Sequence, residues 1–123
     1  MTQDMKFETV AGPFDSPANG VVWDGEAVLF ALREEQRLMR LDPASGEVTE
    51  ARKYTSRTGG LAIGPDGELY GGQEASRRLI EFLPDGSSTA IDALLDGKHH
   101  NHPGDLSVDG QGRIWFTDPF SPV

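Results

Sequence analysis

The sequence predicts an all-β fold built from four-stranded antiparallel blades of a β-propeller, and a phrase that occurs three times carries this prediction. Each copy consists of two short apolar runs separated by a turn that contains Asp and Gly. Trp23, Ile63 and Val108 hold equivalent positions in the three copies, at spacings of 40 and 45 residues. A repeat of about 40–45 residues made of short strands has the length of one propeller blade.

Two further strands complete each of the first two copies. Apolar and polar residues alternate over residues 37–41 and 78–82, which is typical of half-buried strands, and turns containing Gly follow both runs. Asp-Gly turns favour hairpins because Gly tolerates the positive φ that such turns need. The sequence therefore predicts blades at residues 20–53 and 60–92 and a single hairpin at residues 105–117.

The predicted domain covers residues 1–123 and holds about two and a half blades. Complete propellers typically have about 4–8 blades, so we expect the chain to form the N-terminal part of a larger ring. A small open β-sheet domain is the alternative. Between the second blade and the hairpin, residues 92–97 predict one helical turn, with Asp92 as its cap and Gly97 as its end.

Composition narrows the classes of partner and compartment. The net charge of −9 disfavours binding to a nucleic acid, since the phosphate backbone is also negative. The absence of Cys excludes disulfides and thiolate metal sites. No apolar run approaches the roughly 20 residues that span a membrane, and the N-terminus lacks the apolar core of a signal peptide. The sequence therefore predicts a cytoplasmic protein without a membrane partner.

Strand alternation predicts where a site would lie. The turns within hairpins are short and share one face, whereas the opposite face carries the longer connections and the starts of the inner strands. Function tends to sit on such loops, which a rigid scaffold holds in place. The candidate site residues at this mouth of the channel are Asn19, Asn101, His102, Asp105 and Asp118.

Four of the five candidates also have a structural interpretation. Asn19 precedes Gly20, a pair that is common in turns. His102 belongs to a His-rich stretch whose spacing suits neither a helix face nor a strand face, which is typical of a solvated loop. Asp105 and Asp118 lie at strand ends, where Asp also bonds nearby backbone amides.

Five segments, taken in order, resemble the family of gluconolactonases, senescence marker protein and luciferin-regenerating enzyme. They are residues 19–24, 57–62, 74–78, 101–106 and 112–119. The resemblance implies a six-bladed propeller that holds a divalent cation, calcium or zinc, in its channel and hydrolyses sugar lactones. The metal-binding Glu of the family falls at Asn19, and two family Asn positions fall at Gly59 and Gly104.

Two functions remain open at this point. The first is the N-terminal portion of a divalent-metal-dependent hydrolase that acts on sugar lactones or related esters, with a lactone or sugar acid as its small-molecule partner. The second is a noncatalytic propeller module that binds a small ligand or a protein through a degenerate metal site. We expect the 123-residue chain by itself to be inactive, and its unpaired sheet edges to be open to self-association. No catalytic residue is assigned.

Overall fold

The computed structural model describes residues 4–92 and 94–120, whose regular elements are β-strands and one turn of 3-10 helix at Arg33–Glu35. The strands are β1 (Asn19–Trp23), β2 (Val28–Leu32), β3 (Arg37–Leu41), β4 (Val48–Lys53), β5 (Thr58–Ile63), β6 (Leu69–Gln73), β7 (Arg78–Phe82), β8 (Ser88–Asp92), β9 (Leu94–Leu95), β10 (Lys98–His99), β11 (Leu106–Val108) and β12 (Ile114–Phe116).

The strands assemble as the threefold repeat predicts. Strands β1 to β4 form one antiparallel four-stranded sheet in chain order, and β5 to β8 form a second. Strands β11 and β12 pair as a hairpin that repeats the first half of a blade. The prediction of antiparallel propeller blades, two complete and one half, is confirmed. The third strands β3 and β7 have the predicted bounds.

The helical turn predicted for residues 92–97 is wrong. Leu94–Leu95 pairs with Lys98–His99 as a small antiparallel hairpin. Asp96 and Gly97 connect the two strands with φ values of 52° and 77°. Two consecutive residues at positive φ make a tight hairpin turn, so the Asp-Gly pair closes a hairpin here instead of ending a helix. Residue 93, like residues 1–3 and 121–123 of the predicted domain, lies outside the described residues.

The inner strands of the three repeats lie side by side, with backbone against backbone. A Cβ atom on Gly20 would overlap the carbonyl oxygen of Gly59. In the same way, a Cβ atom on Gly60 would overlap the carbonyl oxygen of Gly104. Glycine at 20 and 60 therefore permits an approach between neighbouring blades that no larger residue could make.

Two apolar clusters hold the sheets. The first lies between the two blades and joins Leu29 and Leu38 of the first blade to Leu61, Ile80 and Phe82 of the second. The second covers the other face of the first blade, where Phe14 packs on Phe30 with ring centroids 5.3 Å apart. Among residues 4–92 and 94–120, no helix is long and apolar enough to cross a membrane.

Candidate functional site

A cavity of about 180 Å³ opens where the inner strands of the three repeats begin. The lining includes residues from all three repeats: Asn19, Arg33, Gly59, Gly60, Gly104 and Asp105. In both complete blades the pairing of the inner strand shifts register at this point, after Asn19 in β1 and after Thr58 in β5. Such irregularities re-aim residues at the end of a strand, so the fold directs the first residues of its inner strands toward the cavity.

One carboxylate beside the cavity holds two guanidinium groups. Glu74 follows the second strand of its blade directly, as Arg33 does in the blade before it. Glu74 Oε2 lies 3.2 Å from Arg33 Nη1, and Glu74 Oε1 lies 3.2 Å from Arg57 Nε. The Glu74 side chain is only 17% exposed, so this ion pair is better shielded from water than a surface pair.

The connection that leads to the third repeat is fastened at the same mouth. Arg77 Nε donates to the carbonyl oxygens of His100, at 2.7 Å, and Asn101, at 3.0 Å. His102 Nδ1 lies 3.3 Å from the carbonyl oxygen of Glu74. His102 therefore contacts the backbone of the second blade at Glu74. Because the Glu74 carboxylate pairs with Arg33, which lines the cavity, the His102 side chain is connected to the cavity through Glu74.

Asn101 and Asp118 bond to each other across the third repeat. The backbone N–H of Asn101 donates to Asp118 Oδ2 at 2.9 Å, and Asn101 Nδ2 donates to the Asp118 carbonyl oxygen at 3.2 Å. Asp118 Oδ1 is buried and accepts no hydrogen bond from the described residues. A buried carboxylate oxygen without a donor is unfavourable, so Asp118 Oδ1 is an acceptor that the described residues leave unused.

Asp105 lines the cavity at the start of the third inner strand. Its backbone is held by Thr117, whose Oγ1 accepts from the Asp105 N–H at 3.1 Å and whose N–H donates to the Asp105 carbonyl at 3.0 Å. Its side chain is exposed and makes no hydrogen bond or ion pair with a described residue. Asn19, which lines the same cavity, uses Nδ2 in a 3.4 Å bond to the Pro17 carbonyl, and its amide oxygen accepts no hydrogen bond from a described residue.

The structure thus brings Asn19 and Asp105 into one cavity. Asn101, Asp118 and His102 lie in the hydrogen-bonded segments next to the cavity and do not line it. The roles of all five residues in binding stay predictions. Arg33 and Glu74 were not among the predicted site residues. Their sequence signal is positional, because each comes directly after a second strand and so falls on the predicted face.

The described residues do not fit the divalent cation that the resemblance implies. Asn19 and Asp105 each offer one oxygen-bearing group, whereas Gly59 and Gly104 offer no side chain. Within residues 4–92 and 94–120, no three His, Asp or Glu residues are grouped so that they could hold a metal ion. The Arg33 guanidinium lines the same cavity and would repel a cation there.

Asp residues on the opposite face have different partners. Asp24 Oδ1 accepts from the N–H groups of Glu26, at 2.8 Å, and Ala27, at 2.7 Å. Burial raises the pKa of Asp24, but these backbone hydrogen bonds outweigh it and the pKa is lowered overall. At the turn of the third repeat, hydrogen bonds from the Trp115 and Arg113 side chains lower the pKa of Asp109 to about 2.

The comparisons with known proteins agree with one another. Residues 17–121 match the model of the SMP-30/gluconolactonase/LRE-like region. L-arabinolactonase of Azospirillum brasilense is 26% identical over 126 positions, which cover 95% of this chain and 41% of that protein. The structure of a gluconolactonase from Xanthomonas campestris is 26% identical, with a TM-score of 0.79, over 83% of this chain and 35% of that one.

A third structure, a structural-genomics protein assigned as a gluconolactonase, is 24% identical with a TM-score of 0.83, over 91% of this chain and 39% of that one. At that identity the likeness shows the fold alone. The chain spans about two fifths of the length of these relatives. The match to the family model covers most of the chain, and the resemblance stated from its five segments is confirmed. The chain belongs to the SMP-30/gluconolactonase/LRE-like family.

Proposed function

We propose that this chain contributes the substrate-binding mouth of a sugar-lactone hydrolase. One observation carries the proposal: the inner strands of three repeats converge on one polar cavity, and its lining includes Asp105, whose carboxylate has no bonded partner among the described residues. Membership of the family supports it, and so do two relatives named for lactonase activity, one toward L-arabinolactone and one a gluconolactonase.

The chemistry of a sugar lactone suits the groups at this mouth. A lactone presents several hydroxyl groups and one ester carbonyl, and water adds to that carbonyl to open the ring to a sugar acid. We assign Asp105 as an acceptor for sugar hydroxyl hydrogens, with Asn19 on the facing wall. Asp118, Asn101 and His102 complete the proposed substrate-binding set, in which the buried Asp118 Oδ1 offers a further acceptor.

Metal dependence is a separate part of the proposal. The resemblance places a calcium or zinc ion next to Asn19, but the described residues offer too few ligands, so such an ion would need ligands from elsewhere. Ligand binding to the folded state raises stability by about RT ln(1 + [L]/Kd). We expect calcium or zinc, titrated separately, to leave the unfolding temperature of residues 1–123 unchanged. A marked rise that Asn19→Ala abolishes would show that these residues do hold the ion.

Hydrolysis is best tested with two proteins in parallel. The first is the 123-residue chain, and the second is a chimera in which residues 17–121 replace the matching segment of the Xanthomonas campestris gluconolactonase. Proton release from glucono- and arabinono-lactone reports ring opening. We expect the chain alone to be inactive and the chimera to be active, with a raised KM for Asp105→Ala. A folded chimera without turnover would contradict the proposal.

The alternative is a noncatalytic propeller module that binds a small ligand, for which a sugar acid serves as the probe, or a protein. The absence of side chains at Gly59 and Gly104, where the family has Asn, favours it. The two functions differ in one measurement. For a binding module we expect the 123-residue chain to bind a sugar acid and the chimera to be inactive. For a hydrolase we expect the same binding together with lactone hydrolysis by the chimera.

A further inference from the structure

Arg33 occupies an unusual place at the mouth of the channel. It follows β2 directly, and its side chain crosses toward the second blade until it lies over Gly59. A Cβ atom at residue 59 would lie 3.1 Å from Arg33 Cδ and 3.7 Å from Arg33 Nη1. The first of these distances is tighter than ordinary van der Waals contact. The absence of a side chain at Gly59 therefore makes room for the guanidinium.

The charge of Arg33 is incompletely compensated. Its partner Glu74 is shared with Arg57, so one carboxylate faces two guanidinium groups. Arg33 Nε is buried and donates to no described atom. The other carboxylate of the cavity, Asp105, forms no ion pair with Arg33. A positive charge that one shared carboxylate compensates only in part attracts an anion.

We propose that Arg33 binds the carboxylate of a sugar acid, the product of lactone opening. Guanidinium groups match carboxylates in geometry as well as in charge. The cavity also offers two different polar groups, a cation at Arg33 and a hydrogen-bond acceptor at Asp105. A polyhydroxy acid has a carboxylate at one end and hydroxyl groups along its length. Its carboxylate could therefore pair with Arg33 while a hydroxyl group donates to Asp105. This inference rests on the proposed function for the class of ligand.

Calorimetric titration of sodium gluconate into the 123-residue chain tests the inference. A hydrogen-bonded ion pair contributes enough that its removal weakens binding by about 10–100-fold, so we expect that loss for Arg33→Ala. Arg33→Lys keeps the charge and should retain part of the affinity. Gly59→Ala changes no charge but pushes the guanidinium aside, so it should weaken binding by a smaller factor. The unfolding temperature of each variant shows whether it is folded.

The matched control is Arg40→Ala. Arg40 also pairs with one glutamate, Glu26 at 3.7 Å, but it belongs to β3 and its partner lies in the turn on the opposite face. This variant changes the net charge equally and should leave gluconate binding unchanged. Glucitol, which has the hydroxyl groups without the carboxylate, should bind equally to the wild type and to Arg33→Ala.

Two results would overturn the inference: no gluconate binding by the wild type, or an equal loss for Arg33→Ala and Arg40→Ala. Lactone hydrolysis by the chimera separates this result from the proposed function. Gluconate binding that depends on Arg33, in a chimera without turnover, supports the inference and refutes the hydrolase. Turnover together with product inhibition that Arg33→Ala leaves unchanged refutes the inference alone.

Discussion

The two faces of the blade stack use the same residue, aspartate, in opposite ways. On the face of the short turns, Asp24 and Asp109 accept backbone N–H groups two to four residues further along the chain. At the mouth of the channel, Asp105 bonds no described side chain, and Asp118 leaves one buried oxygen without a donor. The turn carboxylates are therefore bonded within their own turns, whereas Asp105 bonds no described side chain and Asp118 combines one oxygen bonded to the Asn101 N–H with one oxygen that accepts no hydrogen bond from the described residues.

The glycines of the two faces differ in a parallel way. At the turns, Gly67 has a φ of +87° and no atom lies within 4 Å of the position of a Cβ, so its backbone conformation requires glycine. At the mouth, Gly60 is required by space, because the neighbouring blade occupies the position of its Cβ. One residue type thus satisfies a local constraint on one face and a constraint between blades on the other.

The largest effect is expected for Gly60→Ala. The added methyl group would meet Leu106 Cδ2 at 2.8 Å and Asp105 Cα at 2.9 Å, and would overlap the Gly104 carbonyl. We expect overpacking to lower the free energy of unfolding by about 1–3 kcal/mol. Gly67→Ala should cost about 1 kcal/mol through its left-handed backbone alone. Urea denaturation measures both.

The control for this pair is Gly110→Ala, since Gly110 lies in a turn with a φ outside the left-handed range and open space around it. It should change the stability by less than about 0.5 kcal/mol. Equal losses for Gly60→Ala and Gly110→Ala would show that the blades do not depend on close backbone contact.

A smaller difference in stability is expected between substitutions of Asp24 and of Asp105. Asp24→Ala removes the acceptor of two backbone N–H groups in an exposed turn, and we expect it to lower the free energy of unfolding by about 1 kcal/mol. Asp105→Ala should stay within about 0.5 kcal/mol of the wild type, since its side chain bonds no residue in the described part of the chain. A stability loss for Asp105→Ala as large as that for Asp24→Ala would assign Asp105 a structural role.

The smallest expected effect is on the stability of the protein at acidic pH. Hydrogen bonds from Trp115 and Arg113 lower the pKa of Asp109 from 3.8 to about 2. A carboxyl whose pKa is lowered by folding stabilises the folded state at pH values above its unfolded-state pKa. This stabilisation is lost as the pH falls from about 3.8 toward 2. We expect the unfolding temperature to fall less steeply over this range in Asp109→Asn than in the wild type. Parallel curves would show that Asp109 does not contribute.

The sequence predicted the features that depend on local patterns. Alternation identified the strands at residues 37–41 and 78–82, and the repeat placed Asn19 and Asp105 at the same mouth. The prediction of a helical turn at residues 92–97 failed because Gly97 is typical both of a helix end and of the second position in an Asp-Gly hairpin turn.

The Arg33–Glu74 ion pair could not be predicted, because it joins residues 41 positions apart whose approach depends on how the blades stack. The role of Gly59 was inaccessible for the same reason. A missing side chain becomes informative only when the structure shows which neighbouring group fills the space it leaves.

The close approach of Gly20 to Gly59 and of Gly60 to Gly104 has a consequence for how such a protein can evolve. Because main-chain atoms form these contacts, the distance between neighbouring repeats at the axis does not depend on the side chains that precede them. Asn19 occupies the position in the first repeat that Gly59 and Gly104 occupy in the second and third, so this position holds a side chain in one repeat and none in the other two. Mutation at this position can therefore change the chemical groups beside the cavity while the backbone contacts keep neighbouring inner strands at the same distance.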